Sequence, residues 1–228
     1  MSLSARYRFW CWRKYWSERE IRLAAKFAKP GTLCLDIGAN AGAYSYFMQR
    51  AGAMVHAFEP IPELAGRLRE RFADRLTVHQ LGISDQTGQF EINAPLIDGQ
   101  PAYGLASVEQ SWPIGQSISH RIDTRTLDSF SFENVSLIKI DIEGHEAAAL
   151  RGAKETLKRC RPALIIEAEE RHHHSAVADV WRILQPLGYR GSFASLGRTY
   201  DILEFDVGVH QAAFDAPNYV FNFVFQNA

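Results

Sequence analysis

Five acidic residues of the sequence each end or follow a short apolar run. They are Asp36, Glu59, Asp85, Asp141 and Glu167. One carboxylate in such a place is most often a turn former or a helix cap. Five in succession instead predict a ligand site at one edge of a sheet, because ligands of open α/β sheets bind beyond the carboxyl ends of the strands.

A glycine-containing loop follows the first of these acids. Gly38, Asn40 and Gly42 let the backbone turn sharply and approach a ligand closely. A dinucleotide site would place a glycine where Asn40 stands and would keep the helix N-terminus for a pyrophosphate. The negative charge of Asp36 suits the ammonium and sulfonium groups of S-adenosylmethionine better. The loop therefore favours S-adenosylmethionine over a nicotinamide cofactor, and so a transferase over an oxidoreductase.

Glu59 and Asp85 are the candidates for holding the nucleoside part of this cofactor. Glu59 follows the glycine loop by roughly 20 residues, where a carboxylate accepts hydrogen bonds from both ribose hydroxyls. Asp85 is placed to approach the adenine, and an ordinary turn into Thr87 and Gly88 explains it equally well.

A further cluster combines carboxylates with an imidazole between positions 141 and 146. Like charges so close together are costly without a cation, a catalytic role or a helix dipole. Glu146 is explained most simply as a first-turn helix acid. His145 fits either a helix N-terminus or a general base, because its intrinsic pKa matches neutral pH. We expect Asp141, Glu143 and His145 to orient a methyl acceptor and to accept its proton.

Two hypotheses for a metal ion arise from the same region. Asp141 and Glu167, at neighbouring strand ends, could hold Mg²⁺ through hard oxygen ligands instead of acting without a metal. The run from His172 to His174 is better explained as a solvated loop. Three consecutive side chains on a regular element cannot all face one ion.

Alternating strands and helices position these residues. Predicted strands cover 32–37, 53–58, 76–83, 89–93, 137–142, 163–168, 189–194, 200–204 and 219–225, and predicted helices cover 18–28, 43–50, 62–73, 145–158 and 175–187. Such an alternation, closed by a β-rich tail, predicts an α/β fold with a mostly parallel, doubly wound sheet and an antiparallel edge.

Two segments interrupt this alternation. Residues 94–119 are rich in Pro, Gly, Ser and Gln and predict a long irregular loop, typical of a functional lid. Residues 7–16 interleave aromatic and basic side chains and predict an amphipathic helix. Docking of that helix on the domain or on a second copy, in a homodimer, is favoured over binding to a membrane surface or a polyphosphate.

Composition limits the remaining possibilities. The 228 residues suit one domain, and 25 Lys and Arg against 26 Asp and Glu argue against a nucleic-acid partner. Three widely spaced cysteines, with no C-x-x-C pair, indicate a reducing, cytoplasmic setting. No apolar run is long enough to span a bilayer.

Seven short motifs occur in a characteristic order. They are L-D-I-G-A-N-A-G-A-Y-S at 35–45, F-E-P at 58–60, G-I-S-D-x-x-G at 82–88, T-L-D-S-F at 126–130, I-K-I-D-I-E-G-H-E at 138–146, L-R-G-A at 150–153 and I-I-E at 165–167. This set resembles the FkbM-type methyltransferases, from Leu33 to the closing N-F-V-F at 222–225. The resemblance implies a Rossmann-like class I methyltransferase fold and adds Ser45, Pro60 and Ser84 to the expected cofactor-binding residues.

The resemblance also implies methyl transfer from S-adenosylmethionine to a hydroxyl of a sugar, a glycan or a polyketide-like small molecule. We expect an N-terminal helical segment at 1–29 and a methyltransferase domain at 30–228. The acceptor is expected under residues 94–119, with the aromatic N-terminal helix as a second candidate contact. A metal-free mechanism is favoured, because the resemblance includes Asp141 and Glu143 but no full ligand set. The alternative is a catalytically silent nucleotide-binding scaffold that acts through protein partners.

Overall fold

Strands and helices alternate along the chain in the computed structural model, which describes residues 3–110 and 115–227. The helices are α1 Ala5–Ser17, α2 Arg19–Phe27, α3 Ala43–Arg50, α4 Pro62–Phe72, α5 Glu146–Arg151, α6 Lys154–Cys160, α7 Ala176–Leu184 and α8 Val207–His210. The strands are β1 Leu33–Ile37, β2 Met54–Phe58, β3 Thr77–His79, β4 Gly82–Ile83, β5 Gly88–Ile97, β6 Gln100–Pro101, β7 Ser117–Arg125, β8 Val135–Ile140, β9 Ala163–Glu167, β10 Tyr189–Ser195, β11 Arg198–Asp201 and β12 Asn222–Asn227. Short 3₁₀ turns lie at Ala73–Arg75, Tyr103–Leu105, Leu127–Phe130, Gln185–Leu187 and Ile202–Glu204.

The main sheet has the order β11-β10-β12-β9-β8-β1-β2-β3 in the described residues. The strands from β9 to β3 are parallel, and β12, β10 and β11 continue the sheet antiparallel. Every residue of β1 is buried, as expected for a parallel strand covered by helices on both faces. The predicted fold class, a mostly parallel sheet with an antiparallel edge, is confirmed.

The two faces of this sheet bury different sets of helices. Leu35 and Ile37 of β1 pack in the cluster that contains Leu150 of α5 and Val180 of α7. Cys34, which directly precedes Leu35, packs in the cluster with residues of α1, α2 and α3. The side-chain period of two along a strand therefore divides one short apolar run between two cores.

A second, smaller sheet, in the order β4-β7-β5-β6, extends into both ends of the predicted irregular loop. β5 and β7 pair antiparallel from Gly88 opposite Thr124 to Pro95 opposite Ser117. The prediction for 94–119 is wrong over these strands, although residues 111–114 lie outside the described part of the chain. Only one face of the pair is apolar and buried, and the partner strand is distant in sequence, so the local pattern gives little signal.

Two other predicted elements are divided in the structure. The predicted strand 76–83 is split, because β3 joins the main sheet and β4 joins the second sheet. The predicted helix 145–158 is interrupted between α5 and α6, where Gly152 packs against backbone. A Cβ on Gly152 would lie 2.0 Å from the carbonyl oxygen of Ser84, so a bulkier residue would push the segments apart.

Smaller differences occur in the tail. The predicted strand 200–204 ends at Asp201, whose side chain caps the following 3₁₀ turn in a capping box with Glu204. The short helix α8 forms in a region where no helix is predicted. Both features depend on local side-chain caps rather than on an apolar period.

The N-terminal helix α1 is anchored on the glycine loop. The Tyr7 hydroxyl donates to the carbonyl oxygens of Ala41 and Gly42 at 2.9 and 3.0 Å. The guanidinium of Arg71 lies 4.3 Å from the Tyr7 ring centroid and also donates to Ala41. The described helices include none with the length and apolar character needed to cross a bilayer.

Candidate active site

Four of the five predicted acids lie at the carboxyl ends of adjacent parallel strands. Asp36 lies on β1, Glu59 follows β2, Asp141 follows β8 and Glu167 ends β9. Asp85 is the exception, because it follows β4 of the second sheet. The main-sheet edge therefore brings together four of the acids, and strand order explains why they meet.

Two glycines allow the loop after β1 to pack closely. Gly38 has φ 81°, and a Cβ there would lie 1.8 Å from the carbonyl oxygen of Asp141. Gly42 has φ 80°, and a Cβ there would lie 2.7 Å from the Phe72 ring. Asn40, between them, also adopts positive φ, at 46°. Gly38 therefore joins the ends of β1 and β8, whereas Gly42 seats the loop on α4.

Asp36 holds the start of α3. Its Oδ2 accepts hydrogen bonds from the Ser45 backbone N–H at 2.9 Å and from the Ser45 hydroxyl at 2.5 Å. Burial raises the pKa of Asp36 to about 6, although the bonds from Ser45 favour the charged form. Ser45 itself is fully buried. The pair fixes the loop between β1 and α3.

Glu59 is tied into the same loop from the next strand. Its Oε2 accepts from the backbone N–H of Asn40 at 2.8 Å, and its Oε1 accepts from that of Ile61 at 3.0 Å. Burial raises the pKa of Glu59 to about 7 despite these two donors. Each carboxylate oxygen has further lone pairs that a ligand hydroxyl can use.

One cavity lies against Glu59 and is called here the Glu59 cavity. Its wall includes Pro60, Ile61, Gly82, Ile83, Phe90 and His145, together with Tyr103 and Val108 from the segment between β6 and β7. Apolar side chains dominate this wall, and Glu59 is a charged group within it. The residues from the predicted lid therefore line this cavity.

A second cavity lies on the other side of the glycine loop and is called here the Lys139 cavity. Its wall includes Trp10 and Lys14 of α1, Tyr44 of α3, Lys139 of β8, and Glu169, Arg171 and Phe214. Asp36 also faces this cavity. Both aromatic rings and charged groups line this cavity.

The two cavities share a wall. Gly38, Asn40, Asp141 and Glu167 line both of them. A group held at this wall is within reach of both spaces. Asp141 is the predicted catalytic residue that reaches the shared wall, together with the predicted cofactor-loop residues Gly38 and Asn40.

Lys139 is a functional candidate that the sequence reasoning missed. Its side chain is 1% exposed, and its Nζ lies 3.5 Å from Asp141 Oδ2 and 3.8 Å from Glu167 Oε2. Nζ also donates to Asn222 Oδ1 at 3.2 Å. Burial alone would lower the pKa of Lys139, but the Asp141 and Glu167 carboxylates outweigh it and raise the pKa. The sequence did offer one signal for this residue, because a lysine is unusual inside the apolar run of a central strand.

Glu167 binds its proton more tightly than a free carboxyl group does. Burial, reinforced by the charge of Asp141, raises the pKa of Glu167, although Lys139 opposes the shift. Carboxylate oxygens of Asp141, Glu143 and Glu167 lie within 4.8 Å of one another, which is a spacing that could hold a cation.

The histidine run is only partly solvated, so its prediction as a solvated loop needs correction. His174 is 98% exposed, whereas the His172 side chain is 6% exposed and its Nε2 lies 2.7 Å from Glu143 Oε2. Burial alone would lower the pKa of His172, but hydrogen bonding to Glu143 and Glu169 raises it to about 9. His172 therefore holds Glu143, at the edge of the Glu59 cavity, by an ion pair.

Glu169 completes this network. Burial would raise its pKa, but hydrogen bonds from His172, Arg171 and Tyr219 lower it to about 2. Arg171 donates twice, at 2.9 and 2.7 Å, and the Tyr219 hydroxyl donates at 2.5 Å. The Arg171 guanidinium also lies 4.2 Å from the Phe214 ring centroid. One wall of the Lys139 cavity is therefore rigid and charged.

His145 has both ring nitrogens engaged. Nε2 lies 2.9 Å from the Ser84 hydroxyl, and Nδ1 lies 2.6 Å from Glu109 Oε1. His145 lines the Glu59 cavity and is not part of the Lys139 cavity. His145 therefore lines the same cavity as Asp141, beside which it was predicted to act, and does not reach the cavity of Lys139.

Ser84 and Asp85 do not line either cavity. Ser84 is fully buried beneath His145. Asp85 accepts from Arg151 Nε at 3.0 Å on the surface. Asp85 therefore forms an ion pair with α5, and its approach to an adenine stays a prediction.

Comparison with known proteins identifies the family to which this chain belongs. The model of the methyltransferase FkbM domain matches residues 36–190. The 2-O-methyltransferase NoeI of Sinorhizobium fredii is 29% identical over 165 residues, which cover 61% of this chain and 65% of NoeI. The hexuronic acid methyltransferase AglP of Haloferax volcanii is 27% identical over 187 residues, covering 80% of this chain and 74% of AglP.

A solved structure gives the same fold. The methyltransferase FkbM of Methylobacillus flagellatus KT superposes with a TM-score of 0.55 at 21% identity. The superposition covers 85% of this chain and 43% of that protein. The chain thus spans less than two thirds of the length of NoeI and of the solved FkbM protein.

Proposed function

Because this chain belongs to the FkbM family of methyltransferases, we propose that it transfers a methyl group from S-adenosylmethionine to a hydroxyl oxygen of a sugar. The shared wall of the two cavities, formed by Gly38, Asn40, Asp141 and Glu167, supports this most directly. A methyltransferase gains mainly by aligning the acceptor oxygen with the methyl carbon and by excluding water. Two cavities that meet at one wall suit that task.

The Glu59 cavity fits S-adenosylmethionine by its chemistry. Ile61, Ile83 and Phe90 offer apolar surface to a purine, and the Glu59 carboxylate offers acceptors to ribose hydroxyls. Gly38 and Asn40 would lie beside the sulfonium end at the shared wall. When bound, S-adenosylmethionine supplies an electrophilic methyl group.

The predicted cofactor residues then differ in their roles. Glu59, Pro60, Gly38 and Asn40 contact the cofactor, and Asp36 faces its cationic end from the Lys139 cavity. Ser45 and Gly42 position the loop by their contacts with Asp36 and Phe72. Ser84 supports His145. Asp85 has no assigned contact with the cofactor.

Asp141 accepts the proton of the acceptor hydroxyl. Its side chain is 31% exposed at the shared wall and is paired with the buried ammonium of Lys139. The raised pKa of Glu167 favours its protonated form, which donates a hydrogen bond to the acceptor instead. His145, with both nitrogens engaged, and Glu143, paired with His172, keep the turn after β8 in place.

This mechanism uses no metal. Lys139 already places a positive charge between Asp141 and Glu167, at 3.5 and 3.8 Å. A divalent cation bound by the same carboxylates would lie next to that ammonium, and Glu167 would first have to lose its proton. The divalent cation remains the rival hypothesis, and chelation separates the two.

A sugar is the acceptor class that the Lys139 cavity favours. Trp10 and Phe214 provide aromatic faces, and Glu169 and Arg171 provide charged groups that can bind hydroxyls. One relative is a hexuronic acid methyltransferase and another is a 2-O-methyltransferase. The acceptor is thus assigned to the Lys139 cavity, next to α1, and not to the space under residues 94–119.

Labelled methyl transfer tests the proposal. The protein is incubated with S-adenosylmethionine carrying a radioactive methyl group and with separate panels of sugars, uronic acids and hydroxylated macrolides. We expect label in at least one sugar or uronic acid. Label only in the macrolides would assign the acceptor to the polyketide class. Binding of S-adenosylmethionine without transfer to any panel would contradict the proposed activity.

A further inference from the structure

Helix α1 exposes a stripe of aromatic side chains. Phe9, Trp12 and Trp16 are 60%, 55% and 64% exposed. Their spacing of three and four residues places them on one face of the helix. The rings also touch, with centroids 6.0 Å apart for Phe9 and Trp12 and 6.2 Å apart for Trp12 and Trp16. The opposite face carries Tyr7 and Cys11, which are buried against the domain.

Arginines border the aromatic stripe on both sides. At 3.6 residues per turn, Arg8 lies on one side of the stripe and Arg6 and Arg13 lie on the other. All three are exposed. Helix α1 contains no acidic residue, so all its charged side chains are positive.

A groove continues the stripe toward α3. Its lining includes Trp12 and Trp16 of α1, Phe47 of α3, and the two cations Arg8 and Arg50. A lining that combines aromatic rings with cations suits an amphiphile whose head group is anionic.

We propose that this face of α1 binds the surface of an anionic lipid bilayer. Tryptophan is enriched at the boundary between head groups and acyl chains, and arginines beside it attract anionic lipids. A second copy of the chain fits less well. A twofold contact through the stripe would bring Arg6, Arg8 and Arg13 against the same residues of the partner, with like charges opposed.

Vesicle flotation tests the proposal without any substrate, so its outcome is independent of the proposed methyl transfer. The protein is mixed with vesicles of phosphatidylcholine alone or of phosphatidylcholine and phosphatidylserine in equal parts. We expect binding to the mixed vesicles, weakened by salt, and at least tenfold less binding to phosphatidylcholine alone.

Three variants locate the binding surface. The triple variant Phe9→Ser, Trp12→Ser and Trp16→Ser should lose vesicle binding at least tenfold. The triple variant Arg6→Gln, Arg8→Gln and Arg13→Gln should lose about fivefold for each arginine removed. A control, Leu196→Ser with Leu203→Ser, removes exposed apolar side chains on another surface, 67% and 75% exposed, and should bind like the parent.

Several outcomes would overturn the proposal. Equal binding of the parent to both vesicle types would rule out a preference for anionic lipids. No binding to either type would rule out binding to a bilayer. Vesicle binding retained by the aromatic variant would show that the binding surface lies elsewhere on the protein. Sedimentation that shows a dimer of the parent, lost in the aromatic variant, without vesicle binding, would assign the stripe to a second copy. Circular dichroism and thermal unfolding verify that each variant is folded.

Discussion

Lys139 Nζ lies 3.5 Å from Asp141 Oδ2, and the two residues are separated by one position on the chain. Side chains two positions apart at a strand lie on the same face of the sheet. The pairing of the proposed base with a buried cation is therefore set by the strand that ends between the two cavities. It depends on no distant loop for its geometry.

Replacing Lys139 tests whether that pairing serves the reaction. We expect Lys139→Met to lower kcat at least tenfold and to move the acidic limb of the pH profile to higher pH. The reason is that a carboxylate deprived of its cation binds its proton more tightly. Kinetics across pH measure both effects, and Lys158→Met, at an exposed lysine, is the control. A lowered kcat with an unshifted profile would indicate a structural role only.

Asp141 and Glu167 are expected to respond differently to loss of their negative charge. Asp141→Asn should lower kcat by about 10² to 10⁴ and leave cofactor affinity intact, because a general base contributes about that much. Glu167→Gln should cost less than tenfold, since an amide resembles the protonated carboxyl of Glu167. Turnover and calorimetry distinguish the two. Equal losses in both variants would argue that the acids act as one unit.

Glu59 should determine cofactor affinity. Glu59→Ala removes the proposed acceptor for the ribose hydroxyls, and a hydrogen bond to a charged group is worth about 1.5 to 3 kcal/mol, or roughly tenfold or more in Kd. Calorimetric titration with S-adenosylmethionine measures the change. Glu63→Ala, at an exposed acid on α4, is the control. Unchanged affinity in Glu59→Ala would contradict the assignment of S-adenosylmethionine to the Glu59 cavity.

His172 should make stability depend on pH. Its pKa in the folded protein is about 9, above the ordinary value of 6.5, so its contribution is complete below pH 6.5 and is lost as pH rises through 9. We expect the parent to lose about 1 to 2 kcal/mol of unfolding free energy over that window relative to His172→Gln. Urea unfolding at several pH values measures it. His174→Gln, at a fully exposed neighbour, should follow the parent.

Metal dependence separates the two mechanisms that the sequence left open. With Lys139 as the cation, activity should survive exhaustive treatment with EDTA. With a divalent cation held by Asp141 and Glu167, the chelator should abolish activity and Mg²⁺ should restore it. A rate assay before and after chelation decides between them.

The sequence predicts the parts of this site that short, ordered motifs specify. Gly38, Glu59 and Asp141 each follow an apolar run, so strand order alone brings them to one edge. Lys139 was missed because only one of its partners, Asp141, is near it in the sequence. Its partners Glu167 and Asn222 come from β9 and β12, far along the chain.

Other features depend on contacts between distant segments. The pairing of β5 with β7 is hard to predict because most residues of β7 are polar and give no apolar alternation. The three histidines look alike in sequence, and only the fold separates His172, held by Glu143, from His174 in solvent. Asp85 was expected at the main sheet, but the short strand β4 moves it to the second sheet.

The walls of the Lys139 cavity come from two parts of the chain with different freedom to vary. Lys139 and Asp141 belong to the central strand and its end, whereas Trp10 comes from α1 and Phe214 from the stretch before β12. Insertions or exchanges in these two peripheral stretches would leave the order of the parallel strands intact. Evolution, or an engineer grafting such stretches between homologues, could therefore change which acceptor is methylated while inheriting the transfer chemistry unaltered.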